Sequence, residues 1–529
     1  GYSEGVFQFE SGGMKNVLIQ LKPESVEDLI AVISLYRPGP MDSIPKYIEN
    51  RHNPSKITYK HPMLKDILDV TYGCIVYQEQ VMQIFRTLAG YSLGRADIVR
   101  RAMSKKKVDV MEREKEIFIN GLVDENGNVA VEGCIRRGVD KATALSVFSE
   151  MESFASYAFN KSHAAAYATV SYKTAWLKCH YPRQYMAALL TSVLDNFGKL
   201  ASYTAECARL GIKVLPPHVN YSDTAFTVCE NDIRFGLMAV KNLGKGFIED
   251  ILAQRENGLF TSFYDFCKRV YGKNVNSRAI ESLIKCGALD GLGSNRREMI
   301  SAVKSVLDSC EYEYRHSLAG QMSFFDMGDE SKPNEPTITP LEDFSISEKL
   351  AMEKEIAGMY LSGHPMDKYE DVSKAIKADR IQWVCSAEET GRYKDNDKVI
   401  LLGVLSNVKL RTTKNNQTMA TAVLEDKSGG IELLIFPQTL SLSGRLVADG
   451  NVARVLGSIS MKEDENPKIL CNEVLSVDTV VENLKKGINM GNKTPRNDNA
   501  VRSNINNNTN NKTYANKAHI LYLRVDSKG

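Results

Sequence analysis

The spacing of apolar residues changes once along the 529-residue chain, near residue 395, and this change limits the possible folds most. Before it, apolar residues recur three and four positions apart, as in Val81–Ala89 and Ala165–Lys178, which is the period of amphipathic helices. After it, short runs rich in Val, Ile and Leu are separated by turns, which predicts strands. We therefore expect a multidomain chain in which a mainly α-helical region precedes an all-β region.

Five strands are predicted in the second region, in about 80 residues. They are Val399–Leu405, Met419–Leu424, Ile431–Phe436, Val452–Met461 and Ile469–Val477. This number and spacing fit a small closed barrel, and the oligonucleotide-binding barrel, placed at 395–482, is the best candidate. The loop between its first two strands contains Lys409, Arg411 and Lys414, which we predict to bind DNA. A barrel that serves only as a spacer or protein-docking module is the alternative.

Two short helix pairs with glycine-rich turns are predicted between 216 and 345, after Pro216 and Pro217 end the first domain, 1–215. The first turn is 243–246, and the second is 287–293, followed by a helix with Ser294 as its expected N-cap. Such turns let backbone N–H groups approach a phosphate, because no Cβ stands in the way. The predicted DNA contacts are Gly244, Lys245, Gly246, Gly291 and Gly293. Two ordinary helical hairpins with Gly C-caps are the alternative.

The other segments are connections or incomplete pieces. Residues 346–394 are predicted to be a linker that contains one helix, Glu348–Leu361. Nine of the 20 residues in 492–511 are Asn, so we expect 483–517 to be a disordered linker. The apolar residues in 518–529 are typical of the first strand of a further, truncated domain.

Overall charge and composition exclude several classes of protein. Sixty-seven Lys and Arg balance 65 Asp and Glu, so any surface for nucleic acid has to come from local clusters of cations. Because no stretch approaches about 18 consecutive apolar residues, we expect no membrane partner and a cytoplasmic chain. The ten cysteines form no CxxC pair, which favours free thiols over a zinc site.

Five cations in the eight residues 100–107 form one local cluster: Arg100, Arg101, Lys105, Lys106 and Lys107. On a helix, Arg101 and Lys105 are four positions apart and repel each other unless an anion lies between them. A polyphosphate would relieve this repulsion, because Arg and Lys both donate to phosphate oxygens. The alternative is an ordinary solvated basic face.

A second cluster begins a predicted helix, with Asn160 or Ser162 as its N-cap. His163 and Tyr167 share one face, where they could pack on a flat base or sugar. Lys161 opposes the helix dipole unless an anion is nearby. These features favour a ligand, although a structural histidine is the alternative for His163.

Several runs together resemble one protein family. They are Gly5–Ser11, Tyr36–Pro40, Tyr72–Met82, Arg100–Lys107 and Phe159–Tyr167. Over nearly all of residues 1–480, the chain resembles the alpha subunits of bacterial replicative DNA polymerase III, the C family of polymerases.

The resemblance implies a fingers domain at 1–215, tandem helix-hairpin-helix motifs that hold duplex DNA and the sliding clamp at 216–345, and an oligonucleotide-binding barrel. It further implies that the five clustered cations bind the triphosphate of the incoming dNTP. The turn from Asn160 to His163, including Lys161 and Ser162, would lie with Tyr167 beside the nascent base pair, and Arg37 near the junction with the palm domain.

We do not expect the family's catalytic centre in this chain. In the family, palm aspartates hold two Mg²⁺ ions, whereas Asp124, Asp395 and Asp397 occur here in loops without apolar strand flanks. We therefore expect no catalytic or metal-binding residue in this chain, which alone would be inactive, and no proofreading site, because no exonuclease motif is found.

A final match is a short peptide that resembles a motif for binding the beta sliding clamp. Its residues are Gln321, Met322, Ser323, Phe324 and Phe325. The apolar side chains would fill a partner groove, while Gln321 fixes the register; a staple onto the chain's own core is the alternative.

Two functions follow from the sequence. The first is a part of a DNA polymerase that binds dNTPs, primer-template DNA and the clamp, with clamp-loader subunits bound through a missing C-terminal domain. The second is a catalytically silent protein that binds nucleic acid and tethers the clamp. A third, an aminoacyl-tRNA synthetase-like enzyme, would need adenylate-binding motifs, which are not found.

Overall fold

A computed structural model describes residues 2–37, 39–105, 108–155, 158–272, 274–318, 336–385, 387, 392–413, 416–462 and 466–491. Short 3₁₀ turns lie at Pro40–Ser43, Pro54–Lys56, Pro62–Leu64, Asp69–Thr71, Ile135–Arg137, Leu237–Ala239, Asp367–Tyr369 and Gly444–Leu446. No described helix combines the length and the apolar character that a membrane crossing requires.

The first part of the chain is helical. Its helices are α1 (Gly12–Leu21), α2 (Val26–Leu35), α3 (Ile44–His52), α4 (Lys65–Leu68), α5 (Gln78–Ala89), α6 (Leu93–Ser104), α7 (Val108–Asn120), α8 (Lys141–Ala155), α9 (Lys161–His180), α10 (Pro182–Ser192) and α11 (Phe197–Arg209). An antiparallel pair, β1 (Leu122–Val123) and β2 (Val129–Val131), lies between α7 and α8. One core joins α1–α3 to the start of α9, and a second fills the space among α4–α8.

The middle part combines a small sheet with helices around one core. Strands β3 (Val214–Leu215), β4 (Thr227–Cys229) and β5 (Asp232–Arg234) form the sheet in the order β3-β5-β4. The helices are α12 (Lys245–Arg255), α13 (Phe263–Val270), α14 (Ser277–Lys285), α15 (Arg296–Leu318) and α16 (Ile346–Ala357). The core also takes in residues of α10 and α11, which ties this part to the preceding one.

A closed five-stranded barrel forms the last part. Short helices α17 (Glu370–Ala375) and α18 (Ile381–Cys385) precede β6 (Lys398–Thr412), β7 (Thr418–Asp426), β8 (Gly429–Ile435), α19 (Pro437–Ser443), β9 (Val452–Ser460), β10 (Lys468–Ser476) and α20 (Val477–Lys485). The strand order is β10-β8-β7-β6-β9, with β10 parallel to β8 and the other pairs antiparallel. This confirms the expected order of a helical region and an all-β barrel of the oligonucleotide-binding kind.

Three local predictions were wrong. The helix expected to reach Leu361 ends at Ala357, because Gly358 adopts a left-handed conformation (φ 76°) that caps it. Asn295, not Ser294, caps α15, since its Oδ1 accepts a hydrogen bond from the N–H of Glu298 at 3.0 Å. The segment before the first glycine-rich turn forms only the 3₁₀ turn that begins at Leu237.

The first residues of the chain, 2–10, form an N-terminal strap across α9, α10 and α11. The Nζ of Lys178 donates to the carbonyl oxygens of Tyr2 (3.1 Å) and Glu4 (2.6 Å). The hydroxyl of Tyr203 and the Nζ of Lys199 bind the carboxylate of Glu10 at 2.6 and 2.9 Å. The hydroxyl of Tyr185 of α10 donates to the carbonyl oxygen of Gly5 at 2.5 Å, so the strap is held by side chains from three helices far along the sequence.

Candidate functional site

A cavity of about 380 Å³ opens between α1, α2 and the start of α9. It is lined by Gln8, Glu10, Ser11, Met14, Ile33, Tyr36, Arg37, Phe159, His163 and Tyr167. Its size falls in the range of small-molecule sites. The fold thus brings three of the predicted nucleotide-binding residues, Arg37, His163 and Tyr167, to one cavity.

Four rings line up beside this cavity, and we call them the ring row: Phe159, His163, Tyr167 and Phe7. The ring centroids of His163 and Tyr167 are 4.5 Å apart, and those of the two outer pairs are each 5.4 Å apart. His163 and Phe7 are exposed, whereas Tyr167 is half-buried. Exposed flat rings of this kind are a surface on which nucleobases stack.

Arg37 lies at the end of the ring row. Its guanidinium carbon stands 4.1 Å from the ring centroid of Phe159, and its Nε donates to the carbonyl oxygen of Ser34 at 3.0 Å. Burial lowers the pKa of Arg37 from its ordinary value of 12.5. An arginine side chain nevertheless stays charged in proteins, so this end of the cavity is positive.

The N-terminal turn of α9 positions the ring row. Asn160 is the N-cap, because its Oδ1 accepts the N–H of His163 at 2.9 Å; Ser162 is exposed in the first turn. Ala164 and Ala168 are fully buried on the face that packs against α2, which explains the small residues in this helix. The rings of His163 and Tyr167, four residues apart, therefore point away from that buried face.

Two carboxylates of the chain itself lie near Lys161, where the sequence predicts an anion. The Nζ of Lys161 is 3.0 Å from a carboxylate oxygen of Glu27. The backbone N–H of Lys161 donates to both carboxylate oxygens of Glu79, each at 3.1 Å, and the Nδ2 of Asn160 donates to one of them at 3.0 Å. Lys161 is therefore neutralised within the fold, so its position alone does not require a bound phosphate.

The basic cluster lies at the C-terminal end of α6. Arg100 and Arg101 both pair with Asp97, at 2.6 and 2.8 Å, and the hydrogen bonds from Arg100 and then those from Arg101 lower the pKa of Asp97. The side chain of Arg101 is 68% exposed and that of Arg100 only 14%, so Arg101 and the exposed Lys105 are the accessible cations. Lys106 and Lys107 lie outside the described residues.

Helix α5 connects this basic end to the ring row. Helices α5 and α6 have 12 residues each, pack together and are joined by Gly90–Ser92, so α6 runs back along α5. The basic end of α6 consequently returns to the level at which α5 begins, where Glu79 contacts the start of α9. The cations and the ring row thus belong to two helices, α6 and α9, that each contact α5, α6 by packing along it and α9 through Glu79.

The two glycine-rich turns differ in what surrounds them. Gly244 is the N-cap of α12 without a capping side chain, Lys245 is exposed, and Gly246 faces Asn274. Gly291 and Gly293 have positive φ values of 86° and 89°, which favour glycine, and a Cβ added at either would contact nothing within 4 Å.

The chain itself covers the helix that follows the second turn. Glu298 accepts hydrogen bonds from the N–H groups of Asn295 (2.9 Å) and Leu341 (3.1 Å). Because Asn295 and Glu298 already cap α15, fewer of its N–H groups remain for an outside phosphate than at α12.

On the barrel, Lys409 and Arg411 are exposed on the same face of β6, opposite Thr421 and Met419 of β7. Lys414 lies outside the described residues, and so does the peptide that includes Gln321, Met322, Ser323, Phe324 and Phe325. Among the residues that the structure does describe, no group of three or more His, Cys, Asp or Glu side chains is arranged to hold a metal ion.

Sequence reasoning missed several residues of the cavity. Phe159 is one turn before His163 and could have been recognised by that spacing. Gln8 carries a positive φ of 66°, unusual for a residue with a side chain, and nothing in the sequence signals it. Phe7, Gln8, Tyr36 and Phe159 lie within the runs that resemble a family, but none is predicted individually as a site residue.

Comparisons with known proteins point in one direction. The model of the bacterial DNA polymerase III alpha subunit finger domain matches residues 1–126, and that of the helix-hairpin-helix motif matches residues 211–299. The DNA polymerase III subunit alpha of Borreliella burgdorferi is 38% identical over 486 residues, which cover 91% of this chain and 41% of that protein. The subunits of Treponema pallidum (36%, covering 94% and 42%) and Bacillus subtilis (37%, covering 91% and 41%) are similar. The chain spans about two fifths of the length of these relatives.

Proposed function

The chain belongs to the bacterial DNA polymerase III alpha family, and we propose that it binds the nucleotide and the DNA in a DNA-directed DNA polymerase of chromosome replication. It spans about two fifths of the length of the family members compared. The observation that carries this proposal is the cavity in which Arg37 and the ring row meet, within the stretch that matches a polymerase finger domain and its continuation. A base stacks on the ring row, and the triphosphate lies toward the cations of α6.

The division of labour between these elements follows from their chemistry. Aromatic rings stack on any base, so the ring row holds a nucleotide without choosing among the four. Arg101 and Lys105 are exposed and bind phosphate oxygens, with Arg100, Lys106 and Lys107 as further candidates. Asn160, Lys161 and Ser162 shape the turn that carries His163, and Arg37 adds a positive charge at the cavity wall.

DNA binding is assigned to the two parts that follow. The N-terminal turn of α12, with Gly244, Lys245 and Gly246, offers uncapped N–H groups to a phosphate of the duplex. Gly291 and Gly293 leave room for a second contact of the same kind. Lys409 and Arg411 on β6, with Lys414, bind the backbone of a single strand.

Polymerases of this kind use divalent metal ions, and we propose that Mg²⁺ is bound by palm residues outside this chain. The three candidate aspartates here do not fit such a site. The Oδ1 of Asp124 accepts the N–H groups of Asn126 and Asn128, as in an ordinary turn. Asp395 accepts from the N–H of Met461 at 2.8 Å, and Asp397 from that of Lys394 at 2.8 Å.

Two partners complete the proposal. The segment Gln321–Phe325 binds the beta sliding clamp, and clamp-loader subunits bind a further domain. The setting is the cytoplasm, where bacterial chromosomes are copied. The second candidate, a catalytically silent tether, is favoured by one observation, the lack of fit of Asp124, Asp395 and Asp397 to a metal site.

The full-length polymerase tests the nucleotide assignment. Arg101→Ala and Lys105→Ala should each raise KM for all four dNTPs about equally and lower kcat, because phosphate contacts do not read the base. Each variant loses one charge-assisted contact, which is worth about 1.5–3 kcal/mol of binding free energy. Arg113→Ala, which removes an exposed cation of α7, is the matched control and should change neither constant. An effect on one nucleotide only would refute the assignment.

A further inference from the structure

The run Tyr77–Gln80 forms a connection between α5 and α9 that the proposed function does not use. Phe159 and Tyr77 form a parallel bridge, in which the N–H of Gln78 donates to the carbonyl oxygen of Phe159 at 2.9 Å. The Nε2 of Gln78 donates to the carbonyl oxygen of Ala158 at 2.9 Å. The backbone of Gln78 thus binds Phe159, at the end of the ring row, and its side chain binds the residue before it.

Gln80 makes this connection rigid from the other side. Its Oε1 accepts the N–H groups of Val76 (2.8 Å) and Tyr77 (2.9 Å), and its Nε2 donates to Thr71 Oγ1 (2.7 Å) and the carbonyl oxygen of Ile67. All four hydrogen bonds are buried. A buried amide whose bonds are all satisfied fixes one conformation, because any other leaves a polar group unpaired.

Glu79 is the charged member of the run. Its carboxylate receives three hydrogen bonds from the start of α9, two from the N–H of Lys161 and one from Asn160. Helix α9 has no acidic residue in its own first turn, and Asn160 satisfies only the N–H of His163 by its own side-chain oxygen. Glu79 also lies in the first turn of α5, so one carboxylate serves the positive ends of two helices.

We infer that Glu79 is a positioning residue, which sets the place of the ring row relative to the basic end of α6. The inference rests on the proposed function, in which one nucleotide spans both elements. Catalytic and binding groups on separate elements lose effect when their spacing changes by about 1 Å. A loosened α9 would still stack a base, but the triphosphate would no longer reach Arg101 and Lys105 in the same geometry.

A purely electrostatic role for Glu79 predicts the opposite change in nucleotide affinity, so the direction of the change distinguishes the two roles. If Glu79 acted only as a negative charge near an anionic substrate, removing it would tighten nucleotide binding. The same would hold for Glu27, whose carboxylate lies 3.0 Å from the Nζ of Lys161, at the side chain of that lysine and not at its backbone N–H. Glu27 is therefore the matched control, with one negative charge of the same kind beside the same lysine.

The experiment measures dNTP incorporation by the full-length polymerase with Glu79→Gln, Glu79→Ala and Glu27→Gln. We expect Glu79→Ala to raise KM for all four dNTPs about tenfold, with kcat lowered less than threefold and affinity for primer-template DNA unchanged. Glu79→Gln, which retains one carbonyl oxygen, should show a smaller rise, and Glu27→Gln should leave KM unchanged or lower it. A fall in KM for both Glu79 variants would overturn the inference.

A second readout does not depend on nucleotide binding. Spin labels on genetically encoded keto amino acids at Ile98 of α6 and Ala166 of α9, both exposed, report the distance between the two helices. Glu79→Ala should broaden or shift the distance distribution, and Glu27→Gln should not. An unchanged distribution in Glu79→Ala would overturn the positioning role, whereas a shifted one in a protein that binds no dNTP would refute the proposed function and leave the positioning role intact.

Discussion

Glu353 of α16 is a carboxylate with no exposed surface, and each of its oxygens is bound. One lies 3.0 Å from Nη1 of Arg296, and the other accepts the N–H groups of Leu361 and Ser362, both at 2.9 Å. Arg296 also pairs with Asp290 of the second glycine-rich turn; burial lowers the pKa of the arginine, but Asp290 and then Glu353 raise it above its ordinary value. Three segments are thus joined by one buried pair, which is tolerable only because every charge has a partner.

Removing this carboxylate should therefore be costly. We expect Glu353→Ala to lower the free energy of opening of α15 and α16 by about 3–5 kcal/mol, because it leaves Arg296 buried with one partner fewer. Native-state hydrogen exchange of the amides in these two helices measures the change. Glu355→Ala, two residues along the same helix, removes a carboxylate that is 64% exposed and should cost less than about 1 kcal/mol. Equal effects of the two variants would contradict the role given to the buried pair.

Two histidines are held neutral in the folded protein. The Nδ1 of His218 accepts the N–H of Asn220 at 3.0 Å, and that of His364 accepts the N–H of Met366 at 3.1 Å. Burial lowers the pKa of both below the ordinary value of 6.5, against the opposing effects of Asp290 on His218, and of Asp367, Glu425 and Asp426 on His364.

The pH dependence of stability follows from the sign of these shifts. Below about pH 6.5 the unfolded chain binds protons that the folded chain does not, so stability is complete above that pH and falls as the pH drops further. We expect the midpoint of urea unfolding, followed by circular dichroism, to decrease as the pH falls from about 7.5 to about 5.5. This interval lies above the range in which the carboxyl groups with lowered pKa values titrate. The double variant His218→Gln with His364→Gln should show a flatter profile, and identical slopes would contradict this account.

Among the elements, β6 is the longest strand of the barrel, and its two ends differ in burial. Residues from Val399 to Leu405 are buried, alternately in the barrel core and against the segments that cover the barrel, whereas Lys409 and Arg411 project from the hairpin with β7. The register that pairs Lys409 with Thr421 and Arg411 with Met419 places both cations on one face. A strand that extends beyond its core in this way presents charges at a fixed spacing.

The proposed contact with a single strand can be measured through salt. Lys409→Ala with Arg411→Ala should weaken binding of single-stranded DNA and lower the slope of log affinity against log salt by about 1.4, since each phosphate neutralised on a single strand contributes about 0.7. Lys398→Ala, an exposed lysine at the opposite end of β6, is the control. An unchanged slope in the double variant would remove the barrel from the list of DNA contacts.

At the scale of the whole molecule, the order of parts was predictable because hydrophobic period and turn residues are local signals. All five barrel strands overlap their predicted ranges, and the fold class is confirmed. The site was predictable only in part. His163 and Tyr167 share a helix face by their spacing alone, but the partners of Lys161 are Glu27 and Glu79, distant residues that only the tertiary fold brings together. The assignment of individual residues to nucleotide, DNA and clamp stays a prediction.

Binding of the sliding clamp would determine the processivity of the whole polymerase. Changing Phe324 and Phe325 to Ala together should remove about 3 kcal/mol or more of clamp affinity, since large apolar anchors dominate small interfaces. In the full-length polymerase, long-product synthesis with the clamp should collapse while distributive synthesis stays nearly unchanged. Normal clamp affinity combined with a lower unfolding temperature would identify the segment as a core staple instead.

The N-terminal strap has a consequence for how proteases would act on the folded protein. Exposed segments without regular secondary structure are ordinarily preferred sites of cleavage, because few contacts hold them in place. Here the carbonyl oxygens of Tyr2 and Glu4 are bound by Lys178 of α9, and Glu10 is bound by Lys199 and Tyr203 of α11. Cleavage within residues 2–10 therefore requires these helices to release the strap, so the rate of nicking reports the population in which they have opened.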